Sequence, residues 1–277
     1  MAMPSFDRSW RERQSVKPRI LVLEIRDKER VEEPPLGWIV VEREEVYVRD
    51  PLDGQICEAT IRLSYRRITA RPSSYESGHG EFNGSYWRFF NAVSLTSSSM
   101  ASGAVCLDLP ELYGQRVGTY LMNEIVEWVK QWPDASVNPI KLLIGQARGD
   151  NKARRNWFYE QFGLRFDYHD SGKREGVSLP MQVRELSIVE TWKSNIVEHK
   201  MFDYLAERLD AVESAQSKVA ALHNGYMNLR DEQKRAEARP LRWAFRRHRI
   251  QSPERTITII IGLALAVFIS LFWFNTK

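Results

Sequence analysis

Cys57, Ala59, Ile61, Leu63 and Tyr65 alternate with Glu58, Thr60, Arg62 and Ser64. A period of two suits an extended strand with one face buried, and it suits no helix, so this stretch commits the chain to a sheet. The preceding GWIVVEREEVYVRD is also strand-like and runs into the turn DPLDG, which predicts a hairpin. Upstream, RILVLEI from Arg19 reads as a short apolar strand. The segment RPSSYESGHGEFNGS, residues 71–85, is rich in Gly and Ser and predicts a mobile loop with His79 solvated in it, after which YWRFFNAVSL resumes as a strand.

The second half changes period. SGAVCLDLP predicts a strand ending at Pro110, followed by LPELYGQRVGTYLMNEIVEWVKQW, a glycine-bearing turn that enters an amphipathic helix. Leu121, Met122, Ile125, Trp128, Val129 and Trp132 form its apolar stripe, and Pro133 ends it. IKLLIGQAR predicts a strand, and DNKARRNWFYEQFG a helix capped by Asp150 or Asn151 and stopped at Gly163. LRFDY and MQVRELSIV predict the last two strands, with none expected after Ser187. Strands followed by β-α-β-α-β-β predict an α+β domain with a mixed, mostly antiparallel sheet and flanking helices over 19–189.

Beyond it, Met201, Leu205, Val212, Ala215, Val219, Leu222, Tyr226 and Leu229 share one heptad register, broken only by Arg208. This predicts a long helix or coiled coil over 190–233, with a homodimer through 201–229; a helix folded back on the domain is the competing arrangement. The last segment, TITIIIGLALAVFISLFWF, residues 256–274, is uncharged for 19 residues, enough to span about 28 Å as a helix. The basic stretch 234–255 before it holds eight Lys/Arg and two Glu. Together these predict a C-terminal transmembrane helix with the rest of the chain in the cytoplasm, and a parallel helix pair would suit two such anchors. Trp243 and Phe245 in the basic stretch could also contact headgroups.

With 277 residues, 43% of them hydrophobic, the chain can bury one good core and carry appended segments. Forty basic against 36 acidic residues leave a net charge of +4, too little to argue for nucleic acid as the partner. Cys57 and Cys106 lack a C-x-x-C pair or a histidine cluster, so reduced thiols and no metal are expected. MAMPSFDRSWRERQ has no apolar h-region, which argues against a secretory signal and for a flexible N-terminus over 1–18.

Helix N-termini present unpaired N–H groups and a positive dipole end, so the turn LYGQRVG could hold an anion. Around it, the order of elements over 19–189 resembles the GNAT superfamily of acyl-CoA-dependent N-acyltransferases. In that family a strand leads into an Arg/Gln-x-x-Gly-x-Gly/Ala loop; here Tyr113-Gly114-Gln115-Arg116-Val117-Gly118 stands in its place and matches only at the final glycine. Farther on, DNKARRNWFYEQFGLRF is similar to the family's Asn-x-x-Ala-x-x-hydrophobic-Tyr-x-x-x-Gly-Phe segment through Asn151, Phe158, Tyr159, Gly163 and Leu164, with one extra residue between Asn and Tyr.

The resemblance implies acetyl-CoA as co-substrate, an unknown amine as acceptor, and a coenzyme site made by Gly114, Gln115, Arg116, Val117, Gly118, Thr119 and Asn151. It also implies a carbonyl-polarising N–H near Leu107 to Leu109, and Tyr159 as the acid for the leaving thiolate. Asp108 and Glu111 flank the strand end where an amine would approach and are the candidate bases. Arg116 replaces a family glycine, so its side chain either crowds the pyrophosphate or pairs with it. The expected function is a membrane-tethered N-acetyltransferase; the alternative is a GNAT-like domain without catalysis, acting as a membrane-anchored dimeric binding module.

Overall fold

The computed structural model describes residues 20–68, 78–101, 103, 105, 107, 109, 112–149, 151–242, 257–258, 261–262, 264–269 and 271. Contacts divide the chain into two compact units, Met1–Leu205 and Ala206–Lys277.

The first unit is built on a seven-stranded sheet. In chain order its strands are β1 (Ile20–Ile25), β2 (Gly37–Arg49), β3 (Ile56–Ile68), β4 (His79–Trp87), β5 (Ala92–Ser94), β6 (Ser136–Val137) and β10 (Ile196–Lys200). They lie side by side as β10-β1-β2-β3-β4-β5-β6. Every pairing is antiparallel except β5 with β6, so the sheet is mixed and mostly antiparallel. A second sheet has three short strands ordered β7 (Lys141–Leu142), β9 (Gly176–Ser178) and β8 (Phe166–Tyr168). The period-two alternation from Cys57 to Tyr65 is realised in β3, where Ala59, Ile61, Leu63 and Tyr65 are buried at every second position.

Helix α1 (Val117–Val129) packs its apolar stripe on β3 and β4, with Leu121, Met122, Ile125 and Val129 fully buried. The approach at Gly84 of β4 is close: a Cβ there would stand 2.7 Å from Cγ2 of Ile125 and 3.0 Å from Cγ2 of Ile61. The C-terminal end of α1 is fastened by aromatic contacts, with Trp132 just beyond it stacked on Tyr86 at 4.1 Å between ring centroids. Polar contacts hold the helix as well. Arg43 donates to Glu45 at 2.6 Å and to the buried Glu124 at 2.5 Å, and Trp128 donates to the Tyr47 hydroxyl at 2.8 Å. Each of these buried polar atoms finds a partner, which offsets its desolvation.

Helix α2 (Asn151–Glu160) follows β7, and α3 (Met201–Ala238) follows β10. Over its 38 residues α3 buries none.

The structure differs from the sequence reading at several elements. Among the described residues of SGAVCLDLP, none lies in a strand: Gly103, Val105, Leu107 and Leu109 have no regular secondary structure. His79 begins β4 instead of sitting in a loop, because β4 extends back to pair with Arg66 of β3. MQVRELSIV contributes a 3-10 turn, Val183–Glu185, closed by a capping box between Gln182 and Glu185. A strand does follow Ser187: β10 completes the edge of the sheet against β1.

The transmembrane helix is also a correction. Described residues of that stretch are helical, including 264–269, but among the described residues no helix is long and apolar enough to cross a membrane. α3 has the length and lacks the apolarity. The N-terminal stretch 1–18, most of the 71–85 loop, Cys106, the cap at Asp150, and Trp243 and Phe245 lie outside the described residues. Cys57 is a free, half-buried thiol that donates to the Val48 carbonyl at 3.2 Å.

Candidate functional site

The entry to α1 is a pair of left-handed residues. Gly114 has φ 77° and Arg116, the helix N-cap, has φ 64° and ψ 11°. Glycine takes this conformation freely, whereas an arginine there costs on the order of 1–2 kcal/mol. Side-chain bonds hold it. One Arg116 guanidinium nitrogen donates to the Thr191 carbonyl at 3.1 Å, Ser194 Oγ at 2.5 Å and Asn195 Oδ1 at 3.2 Å. Asn195 is fully buried and in turn donates to the carbonyls of Arg26 and Gln115. Gln115 itself accepts from the Lys28 backbone N–H at 2.9 Å. The loop is thus stitched from behind to the β1–β2 connection and to the turn before β10.

The sequence leaves Arg116 either to crowd a pyrophosphate or to pair with one, and in the structure its side chain bonds within the protein. Its guanidinium is committed to the scaffold turn at 191–195, and the turn's own geometry differs from the negative φ that would have accommodated a Cβ easily. Arg116→Ala should lose about 3 kcal/mol in urea unfolding, since three bonds go and the strained backbone stays. Arg116→Gly should recover about 1 kcal/mol of that, because only it relieves the left-handed backbone. Equal losses in the two variants would show that the φ carries no strain.

The opposite side of the loop faces a cavity of about 430 Å³. Its walls come from the α1 entry (Tyr113, Gly114, Arg116, Val117, Gly118, Thr119), from α2 (Asn151, Arg154, Arg155, Trp157, Phe158, Tyr159), and from Phe82, Val105, Leu107, Leu112 and Gln146. Val117, Gly118 and Thr119 form the first turn of α1, whose N–H groups have no intrahelical partner. A Cβ on Gly118 would lie 3.5 Å from Phe158 and 3.8 Å from Leu107, ordinary van der Waals contacts, so this wall packs beside α2 without requiring a glycine.

The α2 wall is preorganised. Asn151 donates to the Gln146 carbonyl at 2.6 Å and accepts from Arg154 at 2.8 Å. The Arg154 guanidinium lies 5.3 Å from the centre of the Tyr113 ring, so it bridges the two sides of the cavity. Arg155 is buried and donates to the Leu143 and Arg174 carbonyls at 2.8 and 2.9 Å, and its burial lowers its pKa. Tyr159, 5% exposed, packs on Phe158 and Phe166. Burial pushes its phenol up to about 12, against the opposing influence of the Arg155 charge. The group is therefore a protonated donor at neutral pH.

Of the residues singled out in the sequence, Leu107, Gly114, Arg116, Val117, Gly118, Thr119, Asn151 and Tyr159 meet on this cavity. Leu109 does not; it is completely buried in the core. Gln115 turns away toward Lys28. Asp108 and Glu111 lie outside the described residues. Arg154, Trp157, Phe82, Ser194 and Asn195 were not anticipated. Arg154 had a readable signal, three positions after Asn151 on the same helix face; Ser194 and Asn195 act across a long sequence separation and had none. Of the three arginines in the described lining, Arg116 and Arg155 are bonded into the scaffold, and Arg154 is the one placed to meet an anionic ligand at the rim.

No family model and no curated protein matches this chain. A solved structure, a domain from Methanocaldococcus jannaschii DSM 2661, is similar over 51% of this chain and 99% of its own, at 7% identity and a TM-score of 0.28. Overlap that slight carries no argument about fold or activity.

Proposed function

We propose that this cavity binds an acyl-coenzyme A and that the protein is an N-acyltransferase. The observation that carries the reading is the convergence of the α1 first turn and Tyr159 of α2 on one cavity bordered by Arg116, Arg154 and Arg155. In this reaction the N–H groups of Val117 to Thr119 hold the pyrophosphate, with Arg154 adding charge at the rim. The apolar wall of Phe82, Val105, Leu107 and Phe158 takes the pantetheine arm.

The acceptor amine attacks the thioester carbonyl carbon, the tetrahedral intermediate collapses, the C–S bond breaks and an amide forms. The departing sulfur takes the proton of the Tyr159 phenol, and the ammonium proton passes to a base or to water. An N–H near Leu107 would polarise the carbonyl. Leu109, being buried in the core, has no side-chain part in it.

A second reading has its own support. The entry loop, which keeps only Gly118 of the family pattern and carries a left-handed arginine at 116, favours a module that binds the coenzyme without turning it over. Calorimetric titration of the full chain with acetyl-CoA tests both. Binding followed by transfer to an amine supports the enzyme, and binding without transfer to any amine supports the module. The lack of any heat at millimolar acetyl-CoA would refute both.

A further inference from the structure

Helix α3 is 38 residues long and none of them is buried. Its apolar side chains keep a heptad. Leu205, Val212, Val219 and Tyr226 occupy one seam position and Ala215, Leu222 and Leu229 the other. Leu222, Leu229 and Val219 are 75, 67 and 65% exposed. Such a seam at 3.5-residue spacing is what one helix presents to another, since isolated helices draw little stability from propensity alone.

The charges decide the partner's direction. In a parallel, in-register pair, the flanking positions set Glu232 against Glu237 of the second copy, and Arg208 of one seam meets Arg208 of the other. Both contacts repel. Turning the second helix around, with the crossing near Asn224, places Val219 opposite Leu229, Leu222 opposite Tyr226 and Val212 opposite Ala236. Lys218 then faces Glu232 on both sides of the dyad. The two helices overlap over 210–238, roughly 43 Å, so Arg208 falls just outside the paired region.

We infer that α3 is a homodimerisation surface that pairs antiparallel with the same helix of a second copy of this chain. This surface is independent of the cavity and of its proposed reaction.

Sedimentation equilibrium of the full chain and of charge variants tests it. Wild type should dimerise. Glu232→Lys should weaken the dimer on the order of tenfold, because attraction becomes repulsion at two symmetric sites. Adding Lys218→Glu should restore wild-type affinity. In the parallel arrangement Glu232→Lys would relieve the clash with Glu237 and tighten the dimer, which would overturn the proposal, as would a monomer at about 100 µM, where a dimer with a dissociation constant of about 10 µM or below would be populated. Spin labels on Asp210→Cys, with Cys57 and Cys106 replaced by serine, give a second readout. They should lie about 40 Å apart, and a separation within about 20 Å would likewise overturn it.

Discussion

Tyr159→Phe should slow acyl transfer on the order of a hundredfold while leaving acetyl-CoA binding nearly unchanged. A positioned general acid contributes at least that much, and the ring that packs on Phe158 and Phe166 is retained. Steady-state kinetics with calorimetry separate the two effects: kcat falls and the dissociation constant stays. An unchanged kcat would remove Tyr159 from proton transfer. The pH behaviour is specific as well. The folded-state pKa, about 12, lies above the ordinary value of 10. The native state therefore holds this proton more tightly than the unfolded chain does. The stability linked to it is complete below pH 10 and is lost as pH rises through 12. Tyr159→Phe removes that component, so its unfolding free energy should fall less than wild type's between pH 10 and 12.

Gly84→Val should destabilise the protein by about 4 kcal/mol or more, with Gly84→Ala costing about 2 kcal/mol. The alanine Cβ alone would intrude on Ile125 of α1 at 2.7 Å, with the Ser94 carbonyl 3.2 Å away on another side. Relief requires lifting α1, and α1 carries the first turn of the cavity. Urea unfolding gives the stability, and a coenzyme titration of the alanine variant gives the displacement of the site. A loss under about 0.5 kcal/mol for alanine would mean that helix and strand have room between them.

The parts of the fold legible in the sequence were those set by local periodicity. Ala59 to Tyr65 alternate because one face of β3 is buried, and Leu121 to Val129 repeat at helical spacing because α1 lies on that face. β10 was missed for the opposite reason. Only Ile196 among its five residues is buried, so IVEHK has no pattern to read and is a strand only because β1 offers it hydrogen bonds. IKLLIGQAR misled in the other direction: its apolar run gives just two strand residues before the chain turns at Ile144–Gln146. The transmembrane expectation rested on composition alone, and no described helix combines the length and apolarity it needs.

At the site, the glycine turn and the Asn151 to Tyr159 helix were readable as separate short motifs, and the fold brings them onto one cavity. The fate of Arg116 was not readable. It depends on Thr191, Ser194 and Asn195, 75 to 79 residues later. Long-range pairing of this kind leaves no trace in local composition. Alternation and helical spacing report which face of an element is buried, and they are silent about which distant carbonyl receives a side chain.

The pairing of β1 with β10 also bears on how the chain is made. Leu23 lies opposite Glu198, so the apolar strand ILVLEI leaves the ribosome long before the neighbour that will cover its outer edge. At about 5–20 residues per second the interval is roughly 10–35 s. Through that time the nascent chain presents one open, hydrophobic sheet edge, the kind of surface that recruits other strands. Its burden on chaperones should be set by the distance between these two strands in the gene, and a circular permutation joining β10 to β1 would shorten it.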